Sequence, residues 1–340
     1  MERYICKLSN KKLYVHRKIT SGQMGVELES SIKIPRIMDD YYLNVLDTCG
    51  NETLIGFDQH VFIIKDKDNI NRFSLNNLGY ASAVKYIDDK IFVGTQNGYV
   101  LKFDRETKKM EDCHRFTHGR IPVIKKSKNG VIMGFNNGKI LQHDLRQNLK
   151  CSEFLTSNEN NDYGEIISFT ENNLNYFAFS NSRENVSIYD FRYNRKLRTL
   201  SEHKGTVKAL KFCPWNPINL VTGGGLYDKR LISWDVRSFD KIAERHTNSQ
   251  ICDVHFLENM NMITTHGYAG NSMIEWKSKN LGMVAEKRIH NSRVLYSAYY
   301  LPKNILATAS LDQSLKLWKI KENKKREEDD NFVARRIFLR

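Results

Sequence analysis

The stretch Arg230-Leu231-Ile232-Ser233-Trp234-Asp235 decides the fold. An apolar, alternating run ends in tryptophan and aspartate. The same word returns as Ser272-Met273-Ile274-Glu275-Trp276 and Leu315-Lys316-Leu317-Trp318, with a stride of 42 residues between successive tryptophans. Moving toward the N-terminus at about that stride finds Tyr189, His143, Phe103 and Ile64, each closing a similar run, which makes seven units. An aspartate follows the landmark in four of them (Asp104, Asp144, Asp190, Asp235). A second marker runs in register: His118, His203, His246 and His290 open units three, five, six and seven, and are expected to staple the blades by hydrogen bonds. Asn97-Gly98, Asn137-Gly138, Asp312-Gln313 and Asp228 supply turn chemistry where a hairpin between the middle strands belongs. A period of ~40–45 residues built from about four short antiparallel strands marks an all-β fold, a seven-bladed WD-repeat β-propeller.

Beyond Trp318 the chain leaves in a run too charged to form a buried strand, so the seventh blade needs its outer strand from elsewhere. Ser31-Ile32-Lys33-Ile34-Pro35 alternates and precedes the first blade, and proline is tolerated at a sheet edge. Residues 31–37 are therefore predicted to close the ring. The expected organisation is a flexible basic tail over 1–30, the propeller over 31–320 and a charged tail over 321–340.

Composition narrows the function. With 40% apolar residues there is enough to bury a core, and no apolar run approaches the ~20 residues that span a bilayer. The first residues lack the apolar stretch of a secretory signal, so no membrane partner is expected and the chain is placed in nucleus and cytoplasm. Six scattered cysteines without a C-x-x-C pair fit reduced thiols, and the grouping of Cys113, His114 and His118 is better explained by the repeat than by a metal. No cofactor is expected. Neither a nucleophile elbow, a zinc-binding H-E-x-x-H nor a phosphate loop is present, and Gly223-Gly224-Gly225 has no following helix. The chain reads as a binding protein rather than an enzyme, with no catalytic residues and no small-molecule substrate. A net charge of +14 raises an alternative, a scaffold for nucleic acid or chromatin. Residues 1–37 hold eight cations against three glutamates and the rest of the charge is dispersed, so an acidic protein partner serves equally well.

Particular words inside the blades go further. Lys208 to Gly225 (KALKFCPWNPINLVTGGG), Ser249 to Phe256, Ile263 to Trp276, Asn291 to Leu295, and Asp39 to Asp47 entering the first blade together resemble the Fizzy and Fizzy-related family. Its members are substrate-recruiting coactivators of the anaphase-promoting complex, a ubiquitin ligase. The resemblance implies two partners, subunits of that complex and degron-bearing cell-cycle substrates.

It also implies sites. Family members dock through an N-terminal C-box and a C-terminal Ile-Arg; here Glu2, Arg3, Tyr4 and Ile5 are similar to the first and Leu339 and Arg340 to the second, with Cys6 and Leu8 departing from the C-box pattern. For the K-E-N degron on the top face, the matching positions are Asp40, Phe62, Gln250 and Arg293, while Ser182 and Leu226 have drifted. For the R-x-x-L destruction box, held between the first and last blades, the two carboxylate positions fall on Lys33 and Gln313, with Asp312 as an acidic neighbour better suited to a turn.

Overall fold

The computed structural model describes residues 24–35, 37–66, 69–128, 130–144, 151–155, 165–182, 186–193 and 195–321. They form seven four-stranded antiparallel sheets. The innermost strands are Leu46–Cys49, Ala81–Ile87, Val123–Ser127, Ile166–Glu171, Val207–Phe212, Ile251–Phe256 and Val294–Tyr300. Each touches its two neighbours around a ring, and the last returns to the first. All seven landmark residues found by the repeat stand on third strands, from Ile64 on His60–Asp66 to Trp318 on Ser314–Ile320.

Both faces of every sheet are covered, which is why the second strands read as nearly unbroken apolar or small runs such as Asn219–Gly224, buried throughout. Successive side chains on one strand point to opposite neighbours. Leu54, Val61 and Ile63 of the first blade face the second, whereas Ile55 and Ile64 face the last. Seven apolar clusters result among the described residues, one at each junction between blades.

The ring is closed by Val26–Lys33, which pairs antiparallel with Ser314–Ile320 as the outer strand of the last sheet. This corrects the expected boundary: the strand starts at Val26 rather than within 31–37, and residues 26–30 belong to the propeller rather than to the tail. The cause is a bulge between Leu28 and Ser30. One extra residue reverses the facing of everything after it, so Val26 and Leu28 pack toward the sixth blade while Ile32 and Ile34 pack toward the first. Period-two alternation is broken at the point where the sequence stops looking like a strand.

The histidine marker holds in two blades. His203 Nδ1 lies 2.5 Å from Asp228 and its Nε2 2.7 Å from Thr222, whose hydroxyl also accepts the indole N–H of Trp234 at 2.8 Å. The last blade repeats this with His290, Asp312, Thr308 and Trp318. All polar atoms are satisfied when the histidine carries its proton on Nδ1. Gly224 is required beside this staple, because a Cβ there would collide with the Asp228 carboxylate. His246 does not take part: it is exposed at the end of Lys241–His246, and in the sixth blade His266 instead bonds Thr264 at 2.7 Å. His118 packs edge-on against Phe135 at 5.3 Å.

Candidate functional site

In an antiparallel blade the turn between the second and third strands and the connection to the next blade emerge at the same end. That end is the top face, and one segment crosses it. After the closing strand, residues 37–45 run over the ring before entering the first blade, and they bond to all six of the others, the fifth through Lys208, which donates to the Leu43 carbonyl. The Asn44 amide donates to Pro122 and Ile167 carbonyls at 2.9 and 3.1 Å, its backbone N–H to Ser82, the Tyr41 hydroxyl to the Ile251 carbonyl at 2.8 Å, and Tyr296 reaches back to the carbonyls of Met38 and Asp40.

Three of the four predicted K-E-N positions gather round this segment. Asp40 accepts from Arg120 at 2.7 Å through one oxygen and from the Tyr42 N–H at 2.8 Å through the other. Arg120 in turn holds Glu165 with two parallel bonds at 2.9 and 2.7 Å, a fork-to-fork geometry that fixes both planes. Burial works to lower the pKa of Arg120, but the carboxylates of Glu165 and Asp40 outweigh it and hold the guanidinium above its ordinary value. Ser182, one of the positions read as drifted, caps the Glu165 N–H with its hydroxyl at 3.0 Å.

Arg293 is paired with Asp39 and lies with its guanidinium 4.5 Å from the centre of the Tyr268 ring. Its Nε is buried without a partner among the described residues, and burial pushes its pKa down. Gln250 is buried beside Tyr41, with its side-chain oxygen close over Gly267. The fourth, Phe62, packs on the apolar cluster between the first and last blades, which holds Ile37, Leu43 and Val45 of this segment together with Ile32, Ile34 and Leu315.

That junction is also where Lys33 and Gln313 meet. Lys33 pairs with Ser314, the Ile34 N–H donates to the Gln313 carbonyl at 2.7 Å, and both side chains are exposed. Asp312 is fully engaged, by His290 and the Asn291 N–H on one oxygen and by Ser314 on the other. It serves the turn and leaves nothing for an incoming arginine. The predicted docking residues Glu2, Arg3, Tyr4, Ile5, Leu339 and Arg340 lie outside the described residues. Arg120, Glu165, Asp39 and Tyr268 were missed by the sequence reading, because turns and blade connections carry no periodic signal; the pairing of Arg120 with Glu165 spans 45 residues.

The WD domain, G-beta repeat family matches residues 194–235. Across most of the chain the similarity is to three kinds of protein. It is 26% identical over 302 residues to meiotic fizzy-related protein 1 of Schizosaccharomyces pombe, covering 86% of this chain and 70% of that protein. It is 27% identical over 323 residues to anaphase-promoting complex subunit cdc20 of Dictyostelium discoideum, covering 89% and 62%. It is 25% identical over 300 residues to APC/C activator protein CDH1 of Saccharomyces cerevisiae, covering 84% and 51%. Along most of its length the chain is similar to Fizzy and Fizzy-related proteins. It spans between half and 70% of the length of these three relatives, one of which is named as a subunit of the anaphase-promoting complex and one as an APC/C activator. Among solved structures, a chain from the crystal structure of the mitotic checkpoint complex superposes with a TM-score of 0.80 at 24% identity, covering 92% of this chain and 98% of that one, which shows the shared fold.

Proposed function

We propose that this chain is a non-catalytic coactivator of the anaphase-promoting complex. Its tails dock on the ligase and its top face holds a degron, so that a substrate is kept at high effective concentration near the transfer machinery. What carries the proposal is similarity, along most of the chain rather than in one repeat, to proteins named as fizzy-related, as a subunit of the anaphase-promoting complex and as an APC/C activator. The chemistry of the top face supports it. Arg293 keeps a buried donor in hand for a peptide carboxylate, and Asp40, Asp39 and Glu165 offer negative charge to a peptide lysine. The groove between the first and last blades carries Lys33 and Gln313 instead of carboxylates, so it disfavours the arginine of an R-x-x-L signal.

The test is retention of the ligase from cell extract on immobilised protein. The full chain should retain it, and a chain lacking residues 1–8 and 339–340 should lose most of it. Equal retention by both would remove the docking role from the tails.

A further inference from the structure

The inner strands surround a tube whose upper end is stopped. Tyr41, Leu43 and Asn44 lie across it, and the Lys208 ammonium seals the contact by donating to the carbonyls of Leu43 at 2.8 Å and Leu295 at 3.2 Å, between the rings of Tyr41 and Tyr296. Below this stopper the inner strands present Lys85, Lys125, Lys211, Asp47, Asp253 and His255. Each of Lys125, Lys211 and His255 lies within the electrostatic field of several of the others, which puts the group in one space.

The charges do not cancel locally. Asp47 is taken by Lys85 at 2.6 Å and by the Tyr86 N–H at 2.8 Å. Asp253 lies 3.4 Å from His255 Nε2 and 3.5 Å from the Ser297 hydroxyl. Among the described residues, neither Lys125 nor Lys211 has a carboxylate or hydrogen-bond acceptor in reach; Lys125 only overlies the Phe169 ring, 5.9 Å away. Both are half-buried, and burial depresses both, Lys125 to about 8. Asp253 is the carboxylate that acts most strongly on both ammoniums, so with Asp47 held by Lys85 one negative charge is shared by two half-buried cations and a positive charge is left over. A multivalent oxygen anion removes the penalty on both at once.

We infer that the tube below the stopper binds an oxyanion of the phosphate class between Lys125 and Lys211, with Lys85 adding charge and His255 and Ser297 within the same space as hydrogen-bonding groups. This is independent of the degron and docking surfaces.

The experiment is thermal unfolding of the full chain in inorganic phosphate against chloride at equal ionic strength, with pyrophosphate as a second arm. Phosphate at roughly ten times its dissociation constant should raise the midpoint by a few degrees. A larger rise with pyrophosphate identifies a phosphoryl chain as the better ligand, and an equal or smaller one identifies the single phosphate group; both fit the site. The Lys125→Met, Lys211→Met double variant should unfold in chloride at or above the wild-type temperature and lose the phosphate shift. If the double variant fails to fold, Lys125→Gln alone should lose at least half of the shift. Absence of a shift in the wild type, or the same shift in wild type and variant, would overturn the site.

Discussion

At the scale of single residues, two kinds of polar group behave differently. Asp228 is a staple. Burial alone would raise its pKa, yet the bonds from His203, the Lys204 N–H and Arg230 hold it well below the usual carboxylate range. A depressed folded-state value means that its stabilisation is complete above the unfolded value of about 3.9 and is lost as pH falls below it. Asp228→Asn should therefore cost about 3 kcal/mol in urea unfolding at pH 7, with the gap from wild type narrowing at pH 3. A gap that does not change with pH would mean that charge is irrelevant there. Arg293, the residue proposed to bind, instead keeps a buried donor without a partner among the described residues. Arg293→Ala should weaken a fluorescent K-E-N peptide by roughly tenfold to a hundredfold, the worth of a charged hydrogen bond, while leaving the unfolding midpoint within a few degrees; unchanged affinity would exclude it from the site. The sequence made the Asp228 staple legible, because tryptophan, histidine and turn aspartate recur with the blade. It could not show that Asp40 already meets Arg120, since that ion pair joins two non-repeating connections 80 residues apart.

At the scale of the element, the closing strand carries more than its length suggests. Val26, Leu28 and Ile32 are almost completely buried, and at about 2 kcal/mol each their loss amounts to roughly 6 kcal/mol, a large part of the 5–15 kcal/mol typical of a folded domain. A chain beginning at residue 34 also bares the edge of Ser314–Ile320. It should run as oligomers in size-exclusion chromatography and unfold earlier, and a synthetic peptide of residues 26–33 should restore the monomer. A truncated chain that stays monomeric with an unchanged midpoint would show that the strand is dispensable. Its second half was readable from Ser31 to Ile34, and its first half was hidden by the bulge and by polar residues that an outer strand, half open to solvent, is free to carry.

At the scale of the whole molecule, the crossing segment 37–45 makes the top face a shared product of every blade. Asn44 alone joins the second, third and fourth through Ser82, Pro122 and Ile167. No blade therefore assembles the top face on its own, and the proposed degron site exists only when the ring does. The pairing of Val26 with Ile320 then acquires a meaning in time. A ribosome adding roughly 5–20 residues per second delivers the partner of the closing strand between about 15 seconds and a minute after the strand itself. For that interval an amphipathic strand and the junction faces it will cover stay unpaired, the condition under which nascent chains aggregate or are held by chaperones. The ring is thus finished only when the last blade has been synthesised, and the yield of folded protein is set by how well residues 26–33 are protected until then.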